Sequence, residues 1–162
     1  MRLDHWIERF VFPDSRVLVL GSFPSVKSRE VGFYYGHPQN RFWLVLSGVL
    51  GVPAPGTIED KKEMLRAHRV ALWDVIESCE ITGSMDSAIK DPLPTAIAEA
   101  VRGTDIRAVF INGQTAGKLY QRHQAKTVSL PYFILPSTSP ANAAFSVDRL
   151  LEHWKVIADY LK

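Results

Sequence analysis

The residues best suited to chemistry gather in the turn Gly21-Ser22-Phe23-Pro24-Ser25, the stretch from Tyr34 to Asn40, the isolated Asp74 and Asn112, and the loop Pro136 to Asn142. The first is a Ser- and Pro-containing turn able to cradle a phosphate. It lacks the glycine-lysine spacing of a nucleoside-triphosphate loop and the glycine pattern of a dinucleotide site. Tyr34, Tyr35, His37, Phe42 and Trp43 supply rings for core packing or for stacking on a planar base. Phe42 and Trp43 fall on an apolar helix and are expected in the core, whereas Tyr34 and Tyr35 sit in a loop flanked by Gly32 and Gly36, where one of them is expected to stack on a ligand. His37, just before Pro38, fits a loop-bonding histidine better than a catalyst. No Asp or Glu pair lies in these loops, so the two-carboxylate chemistry of most glycosidases is not on offer. The single cysteine, Cys79, and five scattered histidines give neither a disulfide nor a zinc spacing, and no metal or cofactor is implied.

Four apolar runs must position these residues: Val17–Leu20, Val70–Val75, Ala108–Ile111 and Tyr132–Leu135. Each is short, apolar and stopped by Gly, Asp, Asn or Pro, as a strand buried on both faces should be. Between them the pattern predicts helices over Asn40–Leu50, Thr57–His68, Asp91–Val101, Gln114–His123 and Ser146–Leu161, with Thr57 and Ser146 as caps and Asp91-Pro92 as a cap and first turn. Leu3, Trp6, Ile7 and Phe10 recur at helical spacing and predict an amphipathic first helix. Glu77 to Lys90 is too polar and broken for core and reads as loop with a short helix. Alternating strands and helices predict an α/β fold, a four-stranded parallel sheet with right-handed crossovers and helices on both faces, so that all four strand ends carrying chemistry open on one side.

At 162 residues and 46% hydrophobic content, residues 1–162 are expected to form one domain. No apolar run approaches a membrane span and the N-terminus lacks a signal-peptide core, so a cytoplasmic, monomeric protein with no membrane partner is expected. A net charge of +2 permits nucleic-acid binding without requiring it.

Together, G-S-F-P-S, Y-Y-G-H-P-Q-N-R-F-W, W-D-V, I-N-G-Q-T-A and L-P-S-T-S-P-A-N-A resemble the uracil-DNA glycosylase superfamily, and most closely its hypoxanthine-DNA (deoxyinosine) glycosylase branch. The likeness runs from Val17 to about Ala144. It implies the same four-stranded fold and a monofunctional glycosylase of base excision repair acting on DNA with a deaminated base. Uracil- and mismatch-specific branches carry an Asp or Asn two residues after the glycine of the first motif, and Phe23 stands there here. Leu135 stands where the uracil branch has a histidine. The hypoxanthine branch is similar in lacking both, and its likeness makes Asn40 the catalytic residue. Gly36 departs from that branch, where alanine is usual, and is expected to affect loop mobility.

The implied reaction is hydrolysis of an N-glycosidic bond through an oxocarbenium-like sugar, leaving an abasic site. Asn40 would orient the water, or serve only as the cap of the helix that follows. Phe23, Tyr35, Asp74 and Asn112 are the expected base-binding residues, Tyr35 by stacking and Asp74 by accepting the ring N–H that hypoxanthine and uracil present. An N-cap for the segment after its strand is the reading that fits Asp74 slightly better. Ser22, Ser25, Ser137, Ser139, Pro140 and Ala141 are the expected DNA contacts, the serines on phosphates and Pro140 and Ala141 as a wedge in the gap left by the flipped nucleotide. A hydrolase of free nucleosides or damaged nucleotides, and a lesion-binding module without turnover, remain alternatives.

Overall fold

The protein, as a computed structural model, is described over residues 2–80 and 89–162. It opens with a three-residue strand, β1 (Arg2–Asp4), and reaches the main sheet with β2 (Val17–Gly21). All of β2 is buried, and so is all of β3 (Val70–Asp74) beside it. After β4 (Ile76–Glu80) and β5 (Lys90–Pro94) come β6 (Ala108–Asn112) and β7 (Tyr132–Leu135). The main sheet is parallel in the order β3-β2-β6-β7, as the apolar runs predict. Its register aligns the ends: Gly21 lies opposite Asp74, and Asn112 opposite Leu135.

Helices α1 (Val26–Val31), α2 (Phe42–Leu50), α3 (Ile58–His68), α4 (Ile97–Val101), α5 (Gln114–His123), α6 (Val147–Trp154) and α7 (Val156–Asp159) connect and cover the strands. Thr57 and Ser146 cap α3 and α6 through their hydroxyls, which accept from Asp60 N and Arg149 N. Helix α2 lays Phe42, Trp43, Val45 and Leu46 into the core and stops at Gly51 in the left-handed conformation (φ 71°). The predicted final helix divides at Lys155 into α6 and α7.

The N-terminal segment is not the predicted helix. Leu3 pairs with Cys79 in an antiparallel ladder between β1 and β4, His5 N donates to Glu77 O at 2.7 Å, and Phe10 bridges Leu72. A lone helix of two turns without a cap cannot offset its nucleation cost, and the open edge of β4 offers main-chain partners instead. Ile7 and Phe10 are still buried, but Trp6 is 60% exposed.

The Asp91-Pro92 helix start is likewise corrected. Residues 90–94 form β5, paired with β4, and α4 begins only at Ile97. Pro92 and Pro94 hold the residues before them out of the helical region and lack N–H groups, which suits an edge strand. The expected loop with a short helix is β4 over Ile76–Glu80, while residues 81–88 of that expectation lie outside the described residues. Helix α1, within the expected first loop, starts on the Ser25 side chain and ends at Gly32 (φ 79°). Gly36 packs against it: a Cβ there would meet Val31 Cγ2 at 2.6 Å and Ser28 Cα at 3.2 Å. Close approach explains this glycine better than loop mobility does.

Candidate functional site

Because β2 and β3 are in register, the Asp74 carboxylate stands beside the Gly21 main chain. A Cβ on Gly21 would lie 2.6 Å from Asp74 Oδ1 and 3.0 Å from the Tyr35 hydroxyl, so only glycine leaves room for that approach. Asp74 is buried, and its Oδ2 lies 2.8 Å from His5 Nε2. Its main-chain oxygen accepts from Thr95 Oγ1 at 2.8 Å, and Gln124 Nε2 in turn donates to Thr95 O at 2.7 Å, so a buried polar chain fixes the strand end. No helix follows Asp74, since β4 begins at Ile76, and the capping alternative lapses.

Asn40 and Asn112 meet through Thr138, which is fully buried. Asn112 Oδ1 accepts from Thr138 N at 3.0 Å, and Asn112 Nδ2 donates to Thr138 Oγ1 at 3.0 Å. Thr138 Oγ1 lies 2.8 Å from Asn40 Oδ1, which also accepts from Phe42 N at 2.9 Å. A main-chain N–H only donates, so both amide orientations are forced, and the one proton of the Thr138 hydroxyl must point at Asn40. Both lone pairs of Asn40 Oδ1 are therefore occupied and its Nδ2 is the group left to act. Among the described residues, none accepts from that Nδ2. The cap of α2 is Arg41, without a side-chain bond, so Asn40 is not the predicted N-cap; it sits one residue earlier and accepts from Phe42 N through its oxygen alone. Asn112 is drawn to the same cluster, with most of its amide committed to holding Thr138.

Tyr35 stacks on Phe42 with ring centroids 4.0 Å apart and planes 18° from parallel, and it holds a left-handed backbone (φ 52°) that is costly for a residue with a side chain. Trp43 Nε1 supports this turn by donating to Tyr34 O and Tyr35 O. Phe42 and Trp43 are core, as expected. Tyr34 is core too, its hydroxyl donating to Glu8 O at 3.1 Å, and burial, with the nearby Asp74 charge second, pushes its pKa well above the usual phenol value. Phe23 is 9% exposed, edge-on to His5 at 6.0 Å and beneath the Arg29 guanidinium. His37 is exposed and accepts from Gln39 N, a loop role.

The loop 136–145 is fastened by Arg41, whose guanidinium donates to the carbonyls of Thr138, Ser139, Asn142 and Phe145. Asn142 Nδ2 donates to Ser137 O, and Trp154 Nε1 to Pro136 O. Thus braced, the loop exposes Pro140 and Ala141 at its tip. The Ser137 and Ser139 hydroxyls accept from Ser139 N and Ala141 N, bonds that leave each hydroxyl proton for another acceptor. Ser25 caps α1 instead of facing outward, and Ser22 is buried with its main-chain oxygen bonded to Ile76 N. A cavity of about 240 Å³ lined by Phe12, Asp14, Arg66 and Arg69 shares no residue with this cluster.

Three participants were not among the expected site residues. Thr138 and Arg41 lie inside the motifs, but their partners are about 100 residues away in sequence. His5 was hidden by the helical reading of its segment.

The chain is similar to known proteins in sequence and in fold. A hypoxanthine DNA glycosylase of Methanosarcina acetivorans is 32% identical over 148 residues, 89% of this chain and 90% of that protein. A protein of the same name from Methanosarcina barkeri is 29% identical over 107 residues, 65% of this chain and 68% of its own. The solution NMR structure of a Methanosarcina acetivorans protein, provisionally named a uracil DNA glycosylase, superposes with a TM-score of 0.84 over 99% of each chain at 29% identity. A family model matches residues 9–162, and the chain belongs to the uracil DNA glycosylase superfamily.

Proposed function

We propose that this protein is a monofunctional DNA glycosylase of base excision repair that removes a deaminated base, hypoxanthine first, from a flipped nucleotide. The observation that carries the reading is the directed chain Asn112 Nδ2–H to Thr138 Oγ1–H to Asn40 Oδ1, which leaves the Asn40 Nδ2 as a fixed donor. A water that accepts from this donor keeps its other lone pair for the anomeric carbon. The bond from sugar to base nitrogen breaks with the electron pair leaving on the base, the water oxygen bonds to the sugar carbon, and a water proton passes to solvent. An oxocarbenium-like sugar needs a placed water more than a strong base, which fits a site without a carboxylate pair. Asp74 accepts the ring N–H of the base, Tyr35 stacks on it, and the loop tip at Pro140 and Ala141 fills the gap in the duplex. The names of the Methanosarcina relatives favour hypoxanthine over uracil and xanthine.

The test is a set of labelled duplexes, each carrying one deoxyinosine, deoxyuridine or deoxyxanthosine, incubated with protein and cleaved with alkali. Strand scission at deoxyinosine is expected. Tight binding without scission would make the protein a lesion-binding module, and release of hypoxanthine from free deoxyinosine in preference to DNA would make it a nucleoside hydrolase.

A further inference from the structure

His5 lies outside every motif that carries the family likeness and before residue 9, where the family model begins its match. Its ring nevertheless sits inside the strand-end cluster, with its side chain 2% exposed and that of Asp74 5% exposed. The β1–β4 ladder brings it there: Asp4 pairs with Ser78, and the next main-chain bond, His5 N to Glu77 O, turns the ring toward the end of β3. Phe23 meets the ring edge-on at 6.0 Å and Tyr34 tilts against it at 6.1 Å, so packing defines its orientation.

A carboxylate only accepts, so the His5 Nε2 facing Asp74 Oδ2 at 2.8 Å carries the proton and donates it. Thr95 and Gln124 fix the Asp74 main chain, and His5 fixes one carboxylate oxygen. The other, Oδ1, is thereby held over the Gly21 main chain beside the Tyr35 hydroxyl, at the carboxyl end of β3.

Building on the glycosylase reading above, we propose that His5 is a positioning residue for base discrimination. It locks the Asp74 carboxylate so that Oδ1 faces the ring N–H of an oxo base, N1–H of hypoxanthine or N3–H of uracil. The same oxygen opposes the bare ring nitrogen of adenine or cytosine, where two lone pairs meet. Without His5 the carboxylate turns and admits a water, which can donate to that bare nitrogen, and the parent base is no longer refused.

The test compares wild type, His5→Phe and His5→Gln on duplexes with one central deoxyinosine or deoxyadenosine, reading single-turnover excision and duplex dissociation constants. Phenylalanine keeps the ring and removes the donor, while glutamine places an amide N–H where Nε2 was. The preference for deoxyinosine is expected to fall about tenfold or more in His5→Phe and to be retained in His5→Gln. A folded His5→Phe with wild-type preference, or a His5→Gln that loses as much, overturns the proposal. If His5→Phe does not fold, His5→Asn replaces it: its amide ends a methylene short, so the preference must drop there and persist in glutamine. A wild type that releases no base overturns the glycosylase reading alone, and the ratio of dissociation constants still decides the role of His5.

Discussion

The Thr138 hydroxyl donates to Asn40 Oδ1 at 2.8 Å, joining residues 98 positions apart in the chain. Phe42 N already sets which end of the Asn40 amide is the oxygen, and the Thr138 hydroxyl fills that oxygen's second lone pair and restrains its rotation. Thr138→Val keeps the shape, deletes the donor, and leaves the half-buried Asn112 Nδ2 without its acceptor. A loss of about 1–3 kcal/mol of stability is expected, with single-turnover excision slowed about tenfold. Thr138→Ser should restore both, as read by thermal melts beside rates.

Asn40 separates cap from catalyst. Aspartate at this position retains an oxygen for Phe42 N and Thr138 Oγ1 but has no Nδ2 donor. Asn40→Asp is expected to melt near wild type and Asn40→Ala about 1 kcal/mol lower. Both should cleave deoxyinosine DNA about 100-fold more slowly while still binding it. Wild-type cleavage by Asn40→Asp would show that the oxygen, not the amide nitrogen, serves the water.

Tyr35 is stacked on Phe42 before any base arrives, which sets its ring plane in advance. Tyr35→Ala should lose about 1–3 kcal/mol of base-dependent binding, whereas Tyr35→Phe should lose little. Equal losses in the two variants, measured as affinity for lesion over undamaged duplex, would assign the effect to the hydroxyl.

Arg41 spans four loop carbonyls, a geometry that a lysine ammonium cannot reproduce. Arg41→Lys is expected to keep the charge yet weaken duplex binding about tenfold, as a charge-assisted network is lost. Limited proteolysis should cut within residues 136–145 of the variant and spare the wild type. Ser137→Ala with Ser139→Ala should weaken binding while leaving the loop intact, because Arg41 still holds it.

The main sheet was legible because β2 and β3 are buried throughout, β6 nearly so, and all four strands read as short apolar runs. Gly21, Asp74, Asn112 and Pro136 marked their ends, and with them the side on which the site lies. β1 was misread because Leu3, Trp6, Ile7 and Phe10 satisfy a helical period over too few residues to decide between a helix and an edge. The mixed β4 and the proline-bearing β5 carry no clear strand signature, since their pairing with each other and with β1 is what makes them strands. Asn40 was visible as a motif residue, and its bond from Phe42 N is local, but the bond from Thr138 that fills its oxygen joins distant residues and leaves no local trace in sequence.

β1 has three residues, lies at a sheet edge and is largely exposed, whereas β2 is buried throughout. Local opening of β1 therefore costs far less than unfolding the sheet. Such opening withdraws His5 from Asp74 but leaves Asn40, Thr138 and Asn112 in place. Accuracy and speed thus acquire separate thermal limits: on warming, the preference for deoxyinosine over deoxyadenosine should decay while excision still accelerates. Amide exchange at Leu3, followed over the same temperatures, should rise in step with the loss of fidelity and well before exchange in β2.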